Sequence, residues 1–143
     1  MHLLLIGISH RTAPVELRER VDFQGRLEQA LRALAARGST REAAVLSTCN
    51  RAELYAVCEH TDTARADLMT FVADFHKIDR LAVAPHVYGI VDLEVVQHLF
   101  RVAAGLDSLV IGEPQILGQV KEAHTVASEL RTVGPVLNRL FHS

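Results

Sequence analysis

Short apolar runs alternate along this chain with stretches of helical periodicity, in the order β-α-β-β-α-β and then further helices. That order predicts an α+β fold, a sandwich of the ferredoxin-like, split β-α-β kind with additional C-terminal helices. The chain's 143 residues suit one domain, taken as residues 1–143, able to bury a core without a disulfide or metal staple. A composition of 49% hydrophobic and 22% charged residues is that of an ordinary globular domain.

Each element has a local reason. Residues 3–9 form a near-continuous apolar run, short enough for a buried strand. Pro14 suits the first turn of a helix reaching Arg20. Leu27, Ala30, Leu31, Leu34 and Ala35 recur at helical spacing, and Gly38 closes that segment. Residues 43–48 read as a second strand and 52–59 as a third. In the third, Ala52, Leu54, Ala56 and Cys58 share one face, and Glu53, Tyr55, Val57 and Glu59 the other. Leu68, Phe71, Val72 and Phe75 stripe a helix from residue 62 or 63 to about 76. Residues 86–90 form a short fourth strand. Asp92 is the expected cap of a helix running to about residue 104, with Val95, Val96, Leu99, Phe100 and Val102 inward. Pro114 starts a helix reaching about residue 130, and a last helical piece begins near Pro135. No helix stop comes after it, which fits a cut within a longer protein.

Several function classes are disfavoured. The formal net charge is −2 and neither half of the chain is basic, so no general phosphate-gripping surface is expected. Two cysteines cannot build a secreted disulfide framework. The N-terminal apolar run lacks a basic leader and is too short to span a membrane, so the expected location is cytoplasmic, with reduced thiols and no membrane partner. Cys49, Cys58 and His60 lack the spacing of a zinc site, and no metal is expected. No GxGxxG dinucleotide fingerprint occurs.

Reactive side chains are densest at Ser47-Thr48-Cys49-Asn50-Arg51, between two predicted strands. A cation near a thiol stabilises its thiolate, and Arg51 shares Cys49's side of the chain if the backbone there is extended. Spacing alone leaves a second reading open: a small buried cysteine beside a surface arginine. Cys58, on the apolar face of its strand, belongs to the core. His98 lies at the margin of its helix's apolar stripe, where a structural histidine is the commoner occupant. Around residues 105–115 an apolar segment delivers Ser108, Glu113 and Gln115 to a helix N-terminus, and Gln119 lies one turn later. A buried connection with a dipole-favoured glutamate explains that segment equally well.

Three stretches in order resemble one family, the glutamyl-tRNA reductases of tetrapyrrole (porphyrin and haem) biosynthesis. They are Gly7-Ile8-Ser9-His10-Arg11-Thr12-Ala13-Pro14 with Arg18-Glu19, Leu46-Ser47-Thr48-Cys49-Asn50-Arg51-Ala52-Glu53, and the run from Gly105 to Ala123. The resemblance implies an N-terminal catalytic domain, with the family's NADPH-binding and dimerisation domains lying outside these residues. It implies that the cysteine matching Cys49 attacks the ester of glutamyl-tRNA to form an enzyme thioester, which NADPH then reduces to glutamate-1-semialdehyde. Thr48, Cys49, Asn50, Arg51, Ser108, Glu113, Pro114, Gln115 and Gln119 match its substrate-binding positions, and His98 matches a histidine important for activity. Arg51 is the expected partner of the substrate's side-chain carboxylate, because a guanidinium pairs a carboxylate bidentately. Further implied are a homodimer of the full-length enzyme, a monomer for this chain alone, and a glutamate-1-semialdehyde aminotransferase as partner. The competing readings are another thiol-dependent acyl enzyme and a non-enzymatic ferredoxin-like regulatory module.

Overall fold

The computed structural model describes residues 1–105 and 115–142. In chain order the elements are β1 (His2–Ser9), α1 (Val15–Arg20), α2 (Leu27–Ala35), β2 (Glu42–Ser47) and β3 (Arg51–Cys58). They continue with α3 (Thr61–His76), α4 (Arg80–Val83), β4 (Tyr88–Val91), α5 (Leu93–Ala103), α6 (Gln115–Glu129) and α7 (Pro135–His142). The architecture is mixed α/β: the four strands form one antiparallel sheet in the order β2-β3-β1-β4.

Every residue of β3 is buried, so helices cover both faces of the sheet. On the face bearing Leu54, Met69 and Val72 of α3 and the Phe23 ring close over Ile6, Ile8 and Ala52. Leu27 of α2 lies beside Val45 on that same face. The opposite face carries Arg51, Glu53, Tyr55 and Val57. There Phe141 of α7 meets the Tyr55 ring edge-on, with centroids 5.7 Å apart. His98 of α5 reaches Glu53 on this face.

The edge strand β2 is held by the turn after α6 and by the start of α7. The Ala43 N–H donates to the Thr132 carbonyl at 2.8 Å, giving an edge donor a partner. The buried Glu42 carboxylate accepts N–H groups from Gly134 (2.7 Å), Leu137 (2.9 Å) and Val136 (3.3 Å), and so caps α7 from a distant strand. Among the described residues, no helix is long and apolar enough to cross a membrane.

Several local expectations need correction. Phe100, expected inward on its helix, is exposed on α5. Asp92 precedes α5, but its side chain makes no cap. Its carboxylate instead accepts the Leu3 N–H at 3.0 Å and a bond from His2 Nδ1 at 3.1 Å, pinning the start of β1 beside the end of β4. The fourth strand begins at Tyr88 because Ala84–His86 form a 3₁₀ turn. Ahead of that turn, α4 is a short helix absent from the periodicity reading, capped by the Asp79 carboxylate accepting the Leu81 N–H.

Candidate active site

The turn between β2 and β3 presents Cys49 to solvent. Its backbone is fixed from within: Thr48 N–H donates to the Arg51 carbonyl at 2.8 Å, and Thr48 Oγ1 accepts the N–H groups of Asn50 and Arg51 at 3.1 and 3.2 Å. This is the local hydroxyl-to-backbone chemistry that makes threonine favourable in turns. The His10 N–H donates to the Asn50 carbonyl at 2.8 Å, so the loop after β1 buttresses the loop that carries the thiol.

Burial around the loop reverses the plainer sequence reading. Cys49 is exposed, whereas Arg51 is only 3% exposed. The loop turns at Cys49, and the chain is extended only from Arg51 onward. Arg51 therefore lies on the β3 face that bears Glu53 and Tyr55, and its Nη1 donates to Glu53 Oε2 at 3.3 Å. Cys58 is buried as expected, and burial pushes its thiol pKa up.

Glu53 is the centre of this buried cluster, and the motif pattern does not single it out. Its side chain is fully buried. Besides Arg51, Tyr55 donates its hydroxyl to Oε1 at 2.8 Å, and Tyr88 and His98 Nε2 each donate to Oε2 at 2.5 Å. Burial pushes the Glu53 pKa up, but the bond and charge of His98, the charge of Arg51 and the Tyr88 bond outweigh it and hold the carboxyl below its ordinary value. Burial, reinforced by the Glu53 charge, drives the Tyr55 phenol well above its ordinary value, so that it remains a donor.

Strand register explains the convergence. Gly7 of β1 lies opposite Glu53 on one side and Tyr88 on the other. A Cβ at Gly7 would stand 2.8 Å from the Ala52 carbonyl oxygen and 2.9 Å from Glu53 Cγ. The bare glycine thus leaves the channel through which the glutamate crosses β1 to reach β4 and α5. One signal for Glu53 was present in the sequence: a lone acid two residues after Arg51 in an otherwise apolar strand.

Of the other expected site residues, His98 is buried (8% exposed) with its ring centroid 5.8 Å from that of Tyr88. Gln119 is half-buried on α6 and lines a cleft of about 200 Å³ with Gln24, Val45 and Ser47, next to the residue that starts the Cys49 turn. Gln115 opens α6. Ser108, Glu113 and Pro114 lie outside the described residues. Among the described residues, no cluster of three or more His, Cys, Asp or Glu side chains could hold a metal ion.

Residues 6–143 match the family model described as glutamyl-tRNAGlu reductase, N-terminal domain. The chain belongs to that family. As a glutamyl-tRNA reductase N-terminal domain, it is 48% identical to glutamyl-tRNA reductase of Syntrophotalea carbinolica over 142 residues, which are 99% of this chain and 32% of the relative. With the Geobacter sulfurreducens glutamyl-tRNA reductase it shares 45% identity over 143 residues, 99% of this chain and 33% of the relative. A solved structure, glutamyl-tRNA reductase from Methanopyrus kandleri, superposes with a TM-score of 0.81 at 31% identity, covering 98% of this chain and 31% of that one. The chain thus spans about a third of the length of these relatives. Within this reductase domain, the first two matching stretches are joined physically: Gly7, Ile8 and Ser9 pair with Glu53, Ala52 and Arg51.

Proposed function

We propose that this domain takes the glutamyl group of glutamyl-tRNA onto Cys49 as a thioester. The observation that carries the reading is an exposed thiol on a hydrogen-bonded turn that leads directly into the strand bearing the buried Arg51–Glu53–His98 cluster. The Cys49 thiol loses its proton, the thiolate sulfur attacks the ester carbonyl carbon, and a C–S bond forms. The C–O bond to the terminal ribose breaks, and the departing oxygen takes up a proton, leaving a free tRNA hydroxyl. A thiolate suits this step because it is strongly nucleophilic. Arg51 is the proposed reader of the substrate's side-chain carboxylate, through a charge-assisted fork. His98 orients the ester or moves the proton. Thr48 and Asn50, with Ser108, Glu113, Pro114, Gln115 and Gln119, complete the proposed substrate contacts.

The family's reductant is NADPH, and the residues of this chain do not fit it. No GxGxxG occurs, and among the described residues the antiparallel sheet offers no parallel strand-turn-helix crevice of the kind that seats a dinucleotide's pyrophosphate. Reduction to glutamate-1-semialdehyde is therefore assigned to NADPH held outside these residues, as are homodimer formation and transfer of product to an aminotransferase. A free exposed thiol with this role suits the reducing cytoplasm. The strand order and its helical connections support reading the fold as ferredoxin-like.

The test is intact-mass measurement after mixing the domain with glutamyl-tRNA in the absence of NADPH and quenching in acid. One glutamyl group should be added to the wild type, none to Cys49→Ser, and one to Cys58→Ser. Absence of a wild-type adduct, or its mapping to Cys58, overturns the proposal.

A further inference from the structure

Resting on the acyl transfer just proposed, we infer that Glu53 is a positioning residue for that reaction, fixing the tautomer of His98 and the seat of Arg51. Four side chains from two strands and a helix donate to this one carboxylate: Arg51 and Tyr55 of β3, Tyr88 of β4 and His98 of α5. A fully buried carboxylate is a poor device for stability alone, since well-packed apolar groups commonly serve as well in its place. This fold makes a second concession to it, keeping a glycine in the central strand where a Cβ would strike the Glu53 stem. Both features converge on a group two residues beyond the base of the Cys49 turn.

The role of Glu53 comes from its acceptor-only chemistry. An ionised carboxylate takes hydrogen bonds and gives none, so His98 must carry its proton on Nε2 to make the observed contact. In the neutral ring, Nδ1 is then left as the lone-pair nitrogen, able to accept a proton. On the other side, the Glu53 charge draws the Arg51 head onto the covered face, and Thr48 Oγ1 ties the Arg51 backbone to the thiol's turn. A glutamine at 53 cannot play both parts. Its amide offers one acceptor oxygen and one donor nitrogen, and the nitrogen must face either Tyr55 or the Tyr88–His98 pair.

Glu53→Gln, Glu53→Asp, His98→Asn and the double variant Glu53→Gln/His98→Asn are compared for the rate of Cys49 acylation by glutamyl-tRNA. Each rate is divided by the rate of Cys49 alkylation by iodoacetamide, a probe that needs neither tautomer nor carboxylate recognition. For Glu53→Gln the quotient should fall at least tenfold, and Glu53→Asp should recover part of it. The double variant should be no slower than His98→Asn, because both changes disable one device. Long-range ¹H–¹⁵N spectra of the unaltered domain give a readout that no folding defect can obscure, and they should show His98 as the Nε2–H tautomer. An Nδ1–H tautomer, an unchanged quotient in Glu53→Gln, or multiplicative losses in the double variant overturn the inference. If the wild type itself is never acylated, it is the proposed function that fails, and the two failures are thereby distinguished.

Discussion

Arg51 and Cys49 lie two residues apart and end in opposite environments, one buried and one exposed. The sequence made both chemically conspicuous, but it could not say which was which, because the outcome depends on a turn that redirects the chain between them. The specificity proposed for Arg51 can be tested by rate ratios. Glutamyl and glutaminyl esters have nearly the same shape and differ chiefly in terminal charge. Facing a neutral amide in place of a carboxylate, the guanidinium loses a charge-assisted fork while keeping its Glu53 partner. Arg51→Lys should therefore lower the ratio of acylation rates for glutamyl- over glutaminyl-tRNA, since a point charge cannot reproduce the fork, and Arg51→Ala should lower it further. Arg51→Ala should also cost about 3–5 kcal/mol of stability, because it strips one donor from the buried Glu53 carboxylate. That loss shows in denaturation and slows both substrates alike, so the ratio isolates recognition. An unchanged ratio would assign Arg51 to holding Glu53 and place carboxylate recognition elsewhere.

Elements were legible where apolar residues dominate a face of a helix or both faces of a strand. The helices α2 and α5 and the strands β2 (Glu42–Ser47) and β3 (Arg51–Cys58) lie within a residue or two of the sequence reading, because their runs of apolar residues are dense. Caps were harder: the Asp92 carboxylate is claimed by Leu3 and His2, partners about 90 positions away. The end of α3 shows how an element acquires a pH response that its periodicity does not announce. His76 packs against the rings of Phe23 (4.6 Å between centroids) and Phe75 (5.2 Å), and Arg26 Nη2 donates to its Nδ1 at 3.2 Å. The proton then sits on Nε2, which is buried. Burial first, and the Arg26 charge second, lower its pKa from 6.5 to about 4, with the Asp22 charge and a bond to the Val21 backbone opposing. Between those two values the unfolded chain binds a proton that the folded chain refuses, so stability falls as pH drops through that window. His76→Phe removes the titration while keeping a ring in the cluster. Urea midpoints at pH 7 and pH 5 should differ less in the variant than in the wild type. An equal or larger difference in the variant would locate the acid sensitivity in other groups.

At the scale of the whole molecule, the site exists because strands distant in sequence come into register. Residue types and order sufficed to nominate Cys49 and His98 as candidates and to find the family, but not the carboxylate that bonds His98 and Arg51. Glu53 becomes central only when β1 lies between β3 and β4 with Gly7 at the crossing point, and single-strand periodicity carries no register between strands. The two glycines of the sheet offer a matched test of that explanation. At Gly7 an added methyl would meet the Ala52 backbone oxygen at 2.8 Å and Glu53 Cγ at 2.9 Å, in a central strand that cannot move without disturbing both neighbours. At Gly89 of β4 the nearest atom, Cζ of Arg65, is equally close at 2.8 Å, but it is the far end of a flexible side chain beside an edge strand. Gly7→Ala should therefore cost about 1–3 kcal/mol, as overpacking does. It should also depress Cys49 acylation, because Glu53 is displaced from His98 and Tyr88. Gly89→Ala should come out within about 1 kcal/mol of wild type, since Arg65 swings aside and alanine restricts the unfolded chain. Its acylation should persist. Urea denaturation and the glutamyl-adduct assay, run on both variants, decide the matter: equal losses at the two positions would mean that the Gly7 channel has no special part in seating Glu53.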